Sequence, residues 1–598
     1  MTSLSSTAGR SGQNAGWLPL AGLLLLLIIT WALLAPASTA PPMFDDEDTL
    51  HHATTLEGWQ RLYSPDSFGL FRPFKNLLFG AFAGRNPIDL RLWHATCLSF
   101  FLLATGAVFL LARRLFSSSW WALATAAAWA LCPTITSTAV WMSCANISLC
   151  ASFLCLFLVL HLRATESGKV APGSLAAASL ALFLAQASYE SAVCGIGLAA
   201  AIDFLVRGAS PGKWSRPAYV SYLVVTIAFL VLRDAIGSTL NYRDGNPGIS
   251  PETDPLRLFL SAPWFLRRHL SMWLFPPGNQ EFLGTYQWGQ SATVTDLVVS
   301  WVLLAGLPAL AFALRRKVPL AAAGLVWFLL AAAPSSNFLP TYSGPVEDYY
   351  LTIPSIGLAL AVVAVIRRLA TVDHPDPSLS RAGWIFAIAL AIWRIGLVPL
   401  VPLQAAMWKE PVRLLLQSYA VRPGQYLNGA LAARELYLAG RDDEALKLLG
   451  EIERKPHSYA VAPMVEGFIH LRASRPDEAM VCLEEAIRVS STGTQPNQSS
   501  RIEAAKILLR RGNELDRARE LLLPVLDHGF DEMRVRAIHL LAEVYLAKGD
   551  RPKAVETFRK GKQLYPAEPS FQELPEVLRE PSATPGVKSG PTPPASPQ

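Results

Sequence analysis

A run of four acidic residues follows closely on the first long apolar stretch of the chain. Asp45, Asp46, Glu47 and Asp48 come about ten residues after the apolar residues 17–34. Carboxylates held at one membrane face could take a proton from a hydroxyl nucleophile or bind a divalent metal ion. Charged residues also flank membrane helices without any catalytic role. The run therefore indicates either a catalytic centre or a solvated patch beside the membrane, and the other elements of the chain must decide between them.

The composition of the chain is that of a membrane protein. Of its 598 residues, 52% are hydrophobic and only 16% are charged, well outside the range of ordinary soluble domains. Mostly apolar segments of roughly 17–23 residues, long enough to cross about 30 Å of hydrocarbon as helices, recur through the first two thirds. We predict eleven spans, near residues 16–36, 92–112, 120–140, 144–162, 173–189, 191–206, 217–236, 292–314, 318–333, 350–366 and 383–402.

The first of these segments is predicted to be a retained membrane span. Residues 34–40 contain small side chains that resemble a signal-peptide cleavage site. The apolar core of a signal peptide, however, is only about 7–15 residues long, whereas residues 17–34 are nearly all apolar. We therefore expect the acidic run to stay attached to the membrane.

Basic residues in the short loops predict the orientation of the chain, because lysine and arginine are retained on the cytoplasmic side. One set of loops holds Arg113, Arg114, Arg163, Lys169, Arg207, Lys213, Arg216, Arg315, Arg316, Lys317, Arg367, Arg368 and Arg381, and the opposite set holds none. The N-terminal tail 1–15 is therefore predicted to be cytoplasmic. The loops 37–91 and 237–291 and everything after the last span are predicted to lie outside, which is the periplasm in a bacterium.

This orientation places further polar residues on the same side as the acidic run. Glu190, Glu347 and Asp348 are predicted to face outward, as are Arg72, Lys75 and the amphipathic stretch that contains Trp264, Arg267, Arg268, His269 and Trp273. An amphipathic stretch that is too charged to span lies in the membrane interface or re-enters it. Its arginines could clamp a phosphate group, or they could bind lipid head groups.

The C-terminal part of the chain repeats itself. Small residues and alanines recur in pairs, at Gly440 and Ala445, Ser474 and Ala479, Gly512 and Ala518, and Gly549 and Ala554. Successive alanines are 34, 39 and 36 residues apart, close to the period of the tetratricopeptide repeat, in which paired helices bury a shared core. We predict three to five such units in residues 404–566, and a disordered, proline-rich tail at 567–598.

Several classes of function are disfavoured by what the sequence lacks. Its seven cysteines include no CxxC pair, so we expect neither a disulfide framework nor a zinc site. The net charge of +6 is explained by the basic loops, and so gives no reason to expect nucleic-acid binding. No P-loop, GxGxxG, GxSxG or HExxH motif is present, which disfavours use of cytosolic ATP.

Several motifs together resemble one known family. After the acidic run the chain carries Phe71-Arg72-Pro73, Trp93-His94, Ser188-Tyr189-Glu190, Asn337 and the segment from Glu347-Asp348-Tyr349-Tyr350 to Pro354-Ser355-Ile356-Gly357, followed by the repeats. This order is similar to that of the transmembrane and tetratricopeptide-repeat protein O-mannosyltransferases. The resemblance covers nearly the whole chain, and the tyrosine-rich segment is its most specific part.

The resemblance implies an all-α fold and a glycosyltransferase of the GT-C type. A membrane bundle over residues 16–403 would precede an α-solenoid of repeats. The enzyme would move a sugar, mannose in the family, from a polyprenyl-phosphate carrier to hydroxyl groups of outer proteins, with the acceptor chain lying on the repeat groove and lipid around the bundle.

The family's acidic motif maps onto Asp45 and Asp46 as catalytic residues. Either could be the base; we favour Asp45, with Asp46 as an orienting acid or a metal ligand. Carrier-binding candidates are Arg72, Glu190, Arg267, Arg268, His269, Glu347, Asp348 and Tyr349. A divalent cation such as Mg²⁺ or Mn²⁺ could be held by Asp46 and Glu190.

Two positions depart from the family pattern. Asp348 stands where the family usually shows arginine, and Tyr189 stands where it usually shows lysine. The loss of two cations points to another sugar, another carrier such as a diphosphate, or loss of activity. Two further hypotheses stay open: an enzyme of the same type that modifies an envelope glycan or lipid, and a non-catalytic membrane scaffold whose repeats recruit partners.

Overall fold

The computed structural model describes residues 17–571, with gaps at 84, 86–87, 167–169, 211, 213, 239–253, 277–291, 337, 339–345, 372–376, 422–425, 453–459, 491–494, 529–530 and 567. Within these residues the protein is all helical and contains no strand, which confirms the predicted all-α class. Of the residues discussed above, Lys169, Lys213 and Asn337 lie outside the described part of the chain, as do segment 1–15 and residues from 572 onward.

The chain divides into two compact units, residues 1–459 and 460–598. The α-helices of the first unit are α1 (Leu18–Leu34), α2 (Asp45–Thr55), α3 (Gln60–Tyr63), α4 (Pro73–Gly80), α5 (Leu90–Phe116), α6 (Ser119–Ala130), α7 (Thr136–Val140), α8 (Ala145–Ala164), α9 (Pro172–Ser188), α10 (Gly195–Ala201), α11 (Arg216–Ala235), α12 (Pro255–Leu274), α13 (Val294–Leu314), α14 (Pro319–Ala332), α15 (Pro354–Thr371), α16 (Pro377–Gly396), α17 (Leu400–Met407), α18 (Pro411–Val421), α19 (Tyr426–Leu438) and α20 (Asp442–Glu451).

Six of the described helical segments are long and apolar enough to cross a membrane. They are Leu18–Ala37, Leu90–Phe116, Met142–Ala164, Arg216–Ala235, Val294–Leu314 and Arg381–Met407. The bent pair Ser119–Ala130 and Pro133–Val140 makes a seventh if both parts belong to one span. These helices are those of a membrane protein, and the count of eleven spans stays a prediction.

Helix breaks and a short helix occur within three of the other predicted spans. The predicted span 120–140 is bent by 62° between α6 and Pro133. The predicted span 191–206 is divided among a 3-10 turn at Glu190–Cys194, the seven-residue α10 and a π-helical turn at Ile202–Val206. The 14 residues of α14 rise only about 21 Å, less than the roughly 30 Å of a hydrocarbon core.

The loop between α1 and α5 folds into a small helical lobe. Helices α2 and α3 both pack on α4. Asn76 of α4 donates to the main-chain oxygens of Ser64 and Pro65 at 3.0 and 3.4 Å, and the Thr49 and Ser67 hydroxyls lie 3.0 Å apart. These bonds connect the acidic helix α2 to the segment that leads to Arg72. The described residues of the predicted outer loop 37–91 therefore form an ordered platform for its polar side chains.

Helices α14 and α15 approach each other at two glycines. A Cβ at Gly357 would clash with the main-chain oxygen of Gly324 and lie 2.7 Å from the Cβ of Trp327. Small residues at such crossings let membrane helices pack closely. Trp327 also donates to the main-chain oxygen of Ile353 at 3.0 Å. The contact thus fixes the segment just before α15, which contains Asp348 and Tyr349.

The described residues of the second unit form three consecutive helix pairs. Its helices are α21 (Val461–Arg472), α22 (Pro476–Val489), α23 (Gln495–Arg511), α24 (Leu515–His528), α25 (Asp531–Ala547) and α26 (Arg551–Leu564). Each helix packs on the next, and the first helix of each pair also packs on that of the following pair. The predicted start of the repeat domain at 404 lies in the first unit, to which α18, α19 and α20 belong.

The small residues and alanines of the sequence repeat occupy equivalent positions. Each small residue follows a helix with a left-handed φ, which is 74° at Gly440, 58° at Ser474, 68° at Gly512 and 78° at Gly549. Such a residue ends a helix with little strain when it is glycine. The paired alanines at 445, 479, 518 and 554 are fully buried. The repeated pattern therefore predicted four turns and four packing positions correctly.

Candidate functional site

The acidic run forms the first turn of α2. Asp45 is the first residue of the helix, and Phe44 before it has a φ of 52°. A positive φ is strained for a bulky residue and turns the chain sharply. The Phe44 ring packs edge-on against Trp141 and Trp408, with centroids 5.5 and 6.1 Å away. Carboxylates in a first turn are stabilised by the helix dipole, so local sequence and packing both favour this placement.

Three hydrogen bonds hold the segment between α1 and α2 against its neighbours. The ring Nε2 of His94 lies 2.9 Å from the main-chain oxygen of Ala40. The indole of Trp141 donates to the main-chain oxygen of Met43 at 3.2 Å. Ser143 contacts Asp46 directly. The start of α5 and the turn before α8 therefore determine where the acidic run lies.

Asp46 is buried and fully engaged. One carboxylate oxygen accepts hydrogen bonds from the Ser143 main-chain nitrogen at 3.0 Å and hydroxyl at 2.7 Å. The other accepts from the Met43 nitrogen at 3.3 Å. Burial raises the pKa of Asp46 to about 7, although these hydrogen bonds oppose the rise. The arrangement suits a residue that positions the start of α2.

Asp45 is only partly buried and lies among charges from the lobe. Burial raises its pKa, and the charge of Asp66 adds to this effect. The positive charges of Lys75 and Arg72 act in the opposite direction. A carboxylate with a raised pKa next to cations has the properties of a general base beside an anion site.

Arg72 and Glu190 form a two-pronged ion pair. The Nε and Nη2 atoms of Arg72 donate to the two carboxylate oxygens of Glu190 at 3.0 and 2.6 Å. The guanidinium carbon lies 4.8 Å from the centroid of the Tyr189 ring. Burial alone would raise the pKa of Glu190, but Arg72 more than offsets this, so its pKa is lowered. Two predicted carrier-binding residues thus bind each other, and their ion pair connects Arg72 of the lobe to Glu190 at the end of α9.

Lys75 and Asp66 complete the charged group. The Lys75 side chain is buried, and its nitrogen lies 4.6 Å from the centroid of the Phe68 ring. Asp66 accepts from the main-chain nitrogens of Phe68 and Leu70, both at 2.9 Å, and its other oxygen lies 3.8 Å from Arg72. We define Asp45, Asp46, Asp66, Arg72, Lys75 and Glu190 as the acid-base cluster.

The tyrosine-rich segment borders this cluster. Asp348 begins a short 3-10 turn, is buried, and accepts from the Ser137 hydroxyl at 2.8 Å. The Tyr349 ring packs edge-on against Trp141 at 5.6 Å. Trp141 thus contacts both the acidic segment and the tyrosine-rich segment. The two motifs therefore lie next to each other, on either side of Trp141.

Helix α12 contributes its predicted residues unequally. His269 is buried, and so is the neighbouring Glu347. Burial lowers the pKa of His269 to about 4, although its hydrogen bond with the main chain of Glu347 acts in the opposite direction. Arg267 donates to Asp296 of α13 at 2.6 Å. Arg268 is half-buried. His269 therefore lies next to the tyrosine-rich segment, whereas Arg267 has its partner on another helix.

The predicted metal role of Asp46 and Glu190 meets an obstacle in their hydrogen bonds. All four carboxylate oxygens already accept from Ser143, Met43 or Arg72. The described part of the chain contains one group of three side chains that could ligate a metal ion, and it lies in the second unit. Neither Asp46 nor Glu190 belongs to it. A metal ion between these two acids would have to share oxygens that already accept hydrogen bonds, and it would compete with Arg72 for Glu190.

Sequence reasoning overlooked several residues of the site. Ser137, Ser143 and Asp66 belong to no recognisable sequence motif. Ser137 and Ser143 donate to Asp348 and Asp46, which are distant in the sequence, and Asp66 accepts a hydrogen bond within its own turn. A Ser-Pro-Asp turn signal at 64–66 was the one visible hint for Asp66. The cluster as observed can hold a base next to two cations.

No protein-family model matches this chain, and a search of curated proteins also gave no match.

Proposed function

We propose that the protein is a membrane glycosyltransferase that takes a sugar from a polyprenyl-phosphate carrier and attaches it to hydroxyl groups of extracytoplasmic proteins. The observation that carries this proposal is the position of Asp45, a carboxylate with a raised pKa, beside the cations Lys75 and Arg72. Transfer from a lipid phosphate needs these two features together. The base must remove a proton, and the cations must stabilise a leaving phosphate.

The proposed reaction is a direct displacement. The acceptor hydroxyl oxygen attacks the anomeric carbon while Asp45 takes its proton. The bond between that carbon and the phosphate oxygen breaks, and the phosphate leaves with the electron pair. No step depends on a metal ion. Lys75 is the main source of positive charge for the leaving group, because Arg72 is already neutralised by Glu190.

Other residues position these groups. Asp46 accepts two hydrogen bonds from Ser143 and so holds the first turn of α2 in place. The buried Trp141 supports the partly exposed Tyr349 ring, whose centroid lies 5.6 Å from its own, and a sugar or a lipid isoprene unit could pack on that tyrosine. We assign Asp46, Ser143 and Trp141 positioning roles.

The proposal includes an arrangement in the membrane. The eleven predicted spans of the first unit, its broken and short helices included, cross the membrane, with segment 1–15 in the cytoplasm and the acid-base cluster on the outer side. The three helix pairs of the second unit form a tetratricopeptide-like solenoid outside, on which acceptor proteins lie. The shared left-handed turns and buried alanines support the solenoid, and the basic loops support the orientation.

The test is glycan mass spectrometry of envelope proteins and lipids. Four strains are compared: one without the gene, and three in which it is restored as wild type, as Asp45→Asn or as Glu47→Gln, at equal membrane abundance. Glu47 is the matched control because it is an exposed acid in the same helical turn. We expect a sugar mass that deletion and Asp45→Asn abolish and that Glu47→Gln restores.

The outcomes separate the competing hypotheses. A sugar lost from proteins supports the proposal, and a sugar lost from an envelope glycan or lipid identifies that acceptor instead. If Asp45→Asn restores every phenotype and no glycan changes in any strain, the transferase proposal fails. A membrane scaffold would then be the better description.

A further inference from the structure

Three side chains of the second unit could hold a metal ion together. Glu466, His470 and Cys482 each offer one ligand atom, and these atoms all lie within 4.8 Å of one another. We call them the ligand triad. Nothing in the transferase mechanism uses them, and the sequence analysis expected no zinc site. We propose that the ligand triad binds one Zn²⁺ ion, or a metal ion of similar character, independently of the proposed transferase function.

Local helix geometry brings the triad together. Glu466 and His470 are four residues apart on α21 and therefore lie on the same face. Cys482 lies on α22, which packs directly against α21. Gly467 lets the helices approach closely, because a Cβ there would lie 3.0 Å from Leu483 and 3.3 Å from the main-chain oxygen of Ala479. The donor atoms thus face each other across a tight helix pair.

The distances allow metal binding after a small adjustment. Ligand atoms around tetrahedral zinc are about 3.3–3.8 Å apart, given Zn–S and Zn–N bonds of about 2.3 and 2.1 Å. A spread of up to 4.8 Å can close by side-chain rotation alone. All three residues are half-buried, so water could reach a fourth position. The Nδ1 atom of His470 is buried and has no hydrogen-bond partner among the described residues.

The chemistry of the donors selects the metal. A thiolate and an imidazole favour zinc and similar ions, whereas Mg²⁺ and Ca²⁺ prefer sets made only of oxygen. With Cys482 and Glu466 ionised and His470 neutral, the donors carry two negative charges, which balance a divalent cation. Binding deprotonates the thiol and joins α21 to α22. The ion would thereby stabilise the first helix pair of the second unit.

The test uses the full-length protein in detergent, freed of metal and titrated with Co²⁺. We expect one Co²⁺ per chain, with a near-ultraviolet thiolate-to-cobalt charge-transfer band that Zn²⁺ abolishes by displacement. Cys482→Ser should remove the band and weaken Zn²⁺ binding at least tenfold. Cys194→Ser is the matched control, because Cys194 is another half-buried cysteine and lies in the first unit; it should retain both.

A second measurement covers the case in which Cys482→Ser fails to fold. Zn²⁺ should protect Cys482 of the wild type from alkylation, as measured by mass spectrometry of the peptide that contains it, and His470→Ala should remove this protection. Absence of a cobalt band, a band that persists in Cys482→Ser, or alkylation of Cys482 that is unchanged by Zn²⁺ would each overturn the proposal.

Discussion

The guanidinium of Arg72 holds the carboxylate of Glu190 through two hydrogen bonds, at 3.0 and 2.6 Å, between residues 118 positions apart in the chain. Both side chains are largely buried. Each ion therefore depends on the other for the solvation that it lost on burial. The pair joins the helical lobe to the end of α9, and so the acid-base cluster forms only when these two parts of the protein dock.

Removal of one partner of this pair should be costly. Glu190→Gln leaves the buried Arg72 charge with only the more distant carboxylate of Asp66, at 3.8 Å, and we expect a loss of about 3 kcal/mol in stability, the lower end of the range for a broken buried pair. The double variant Arg72→Met/Glu190→Met, which removes both charges, should recover most of this loss. The thermal unfolding midpoint of the detergent-solubilised protein measures both effects. A double variant that is less stable than Glu190→Gln would show that the pair is not the main stabilising interaction there.

The raised pKa of Asp46 predicts a particular pH dependence of stability. Its carboxyl titrates near 3.8 when unfolded and at about 7 when folded, so the folded state binds more protons between these values. The Asp46 contribution to stability is therefore most favourable below about pH 4 and is lost as the pH rises through 7. Asp46→Asn keeps the side-chain shape and removes the titration.

Unfolding midpoints of wild type and Asp46→Asn should consequently diverge between about pH 4 and 7 and differ by a constant amount above that. We expect the variant to gain stability relative to wild type as the pH rises, by on the order of 2–4 kcal/mol in total. Glu57→Gln serves as the comparison, because Glu57 is an exposed acid between α2 and α3. If the wild type instead becomes more stable relative to the variant as the pH rises, the Asp46 carboxyl ionises easily in the folded protein.

Lys75 should control the pH profile of sugar transfer. Its charge lowers the pKa of Asp45, whereas burial and Asp66 raise it. Lys75→Met keeps the apolar stem and removes this charge, so the pKa of Asp45 rises further. We expect the acidic limb of the profile to move to higher pH and the maximal rate to fall at least tenfold.

The measurement is transfer from a synthetic polyprenyl-phosphate sugar to a peptide in lipid vesicles between pH 5 and 9. Lys317→Met is the control, since Lys317 is an exposed lysine far along the chain, after α13. An unshifted acidic limb in Lys75→Met would argue against Asp45 as the base that Lys75 influences.

The contact of Gly324 with Gly357 should not tolerate added methyl groups. Gly357→Ala would place a Cβ against the Gly324 main chain and Trp327, and overpacking of this kind costs about 1–3 kcal/mol. Gly306→Ala in α13 is the control, because a Cβ there meets no atom within 4 Å. Thermal unfolding of the two variants should differ clearly; equal midpoints would show that α14 and α15 can move apart without cost.

Much of the fold was predictable because it depends on local pattern. Continuous apolar stretches predicted helices such as α5 and α8, and the paired small residues predicted turns such as those at Gly440 and Gly549. Breaks inside apolar stretches were harder to recognise. The bend at Pro133 and the short turns from Glu190 onward interrupt segments whose composition alone reads as continuous spans.

The candidate site was only half predictable. The position of Asp45 and Asp46 just after the first span was evident, because membrane spans are long and charged residues gather at their ends. That Arg267 pairs with Asp296 could not be foreseen from the amphipathic pattern around it. Its helical face was visible in the sequence, but the helix packed against that face was not.

The sequence by itself determined an all-α membrane protein, an acidic run beside the first span and four repeated helix turns, because each of these follows from composition or spacing within a few residues. Only the tertiary structure decided that Ser143 holds Asp46, that Arg72 binds Glu190 and that Cys482 faces His470. These contacts join side chains on different helices. Their formation depends on how whole helices pack, and no local pattern records that.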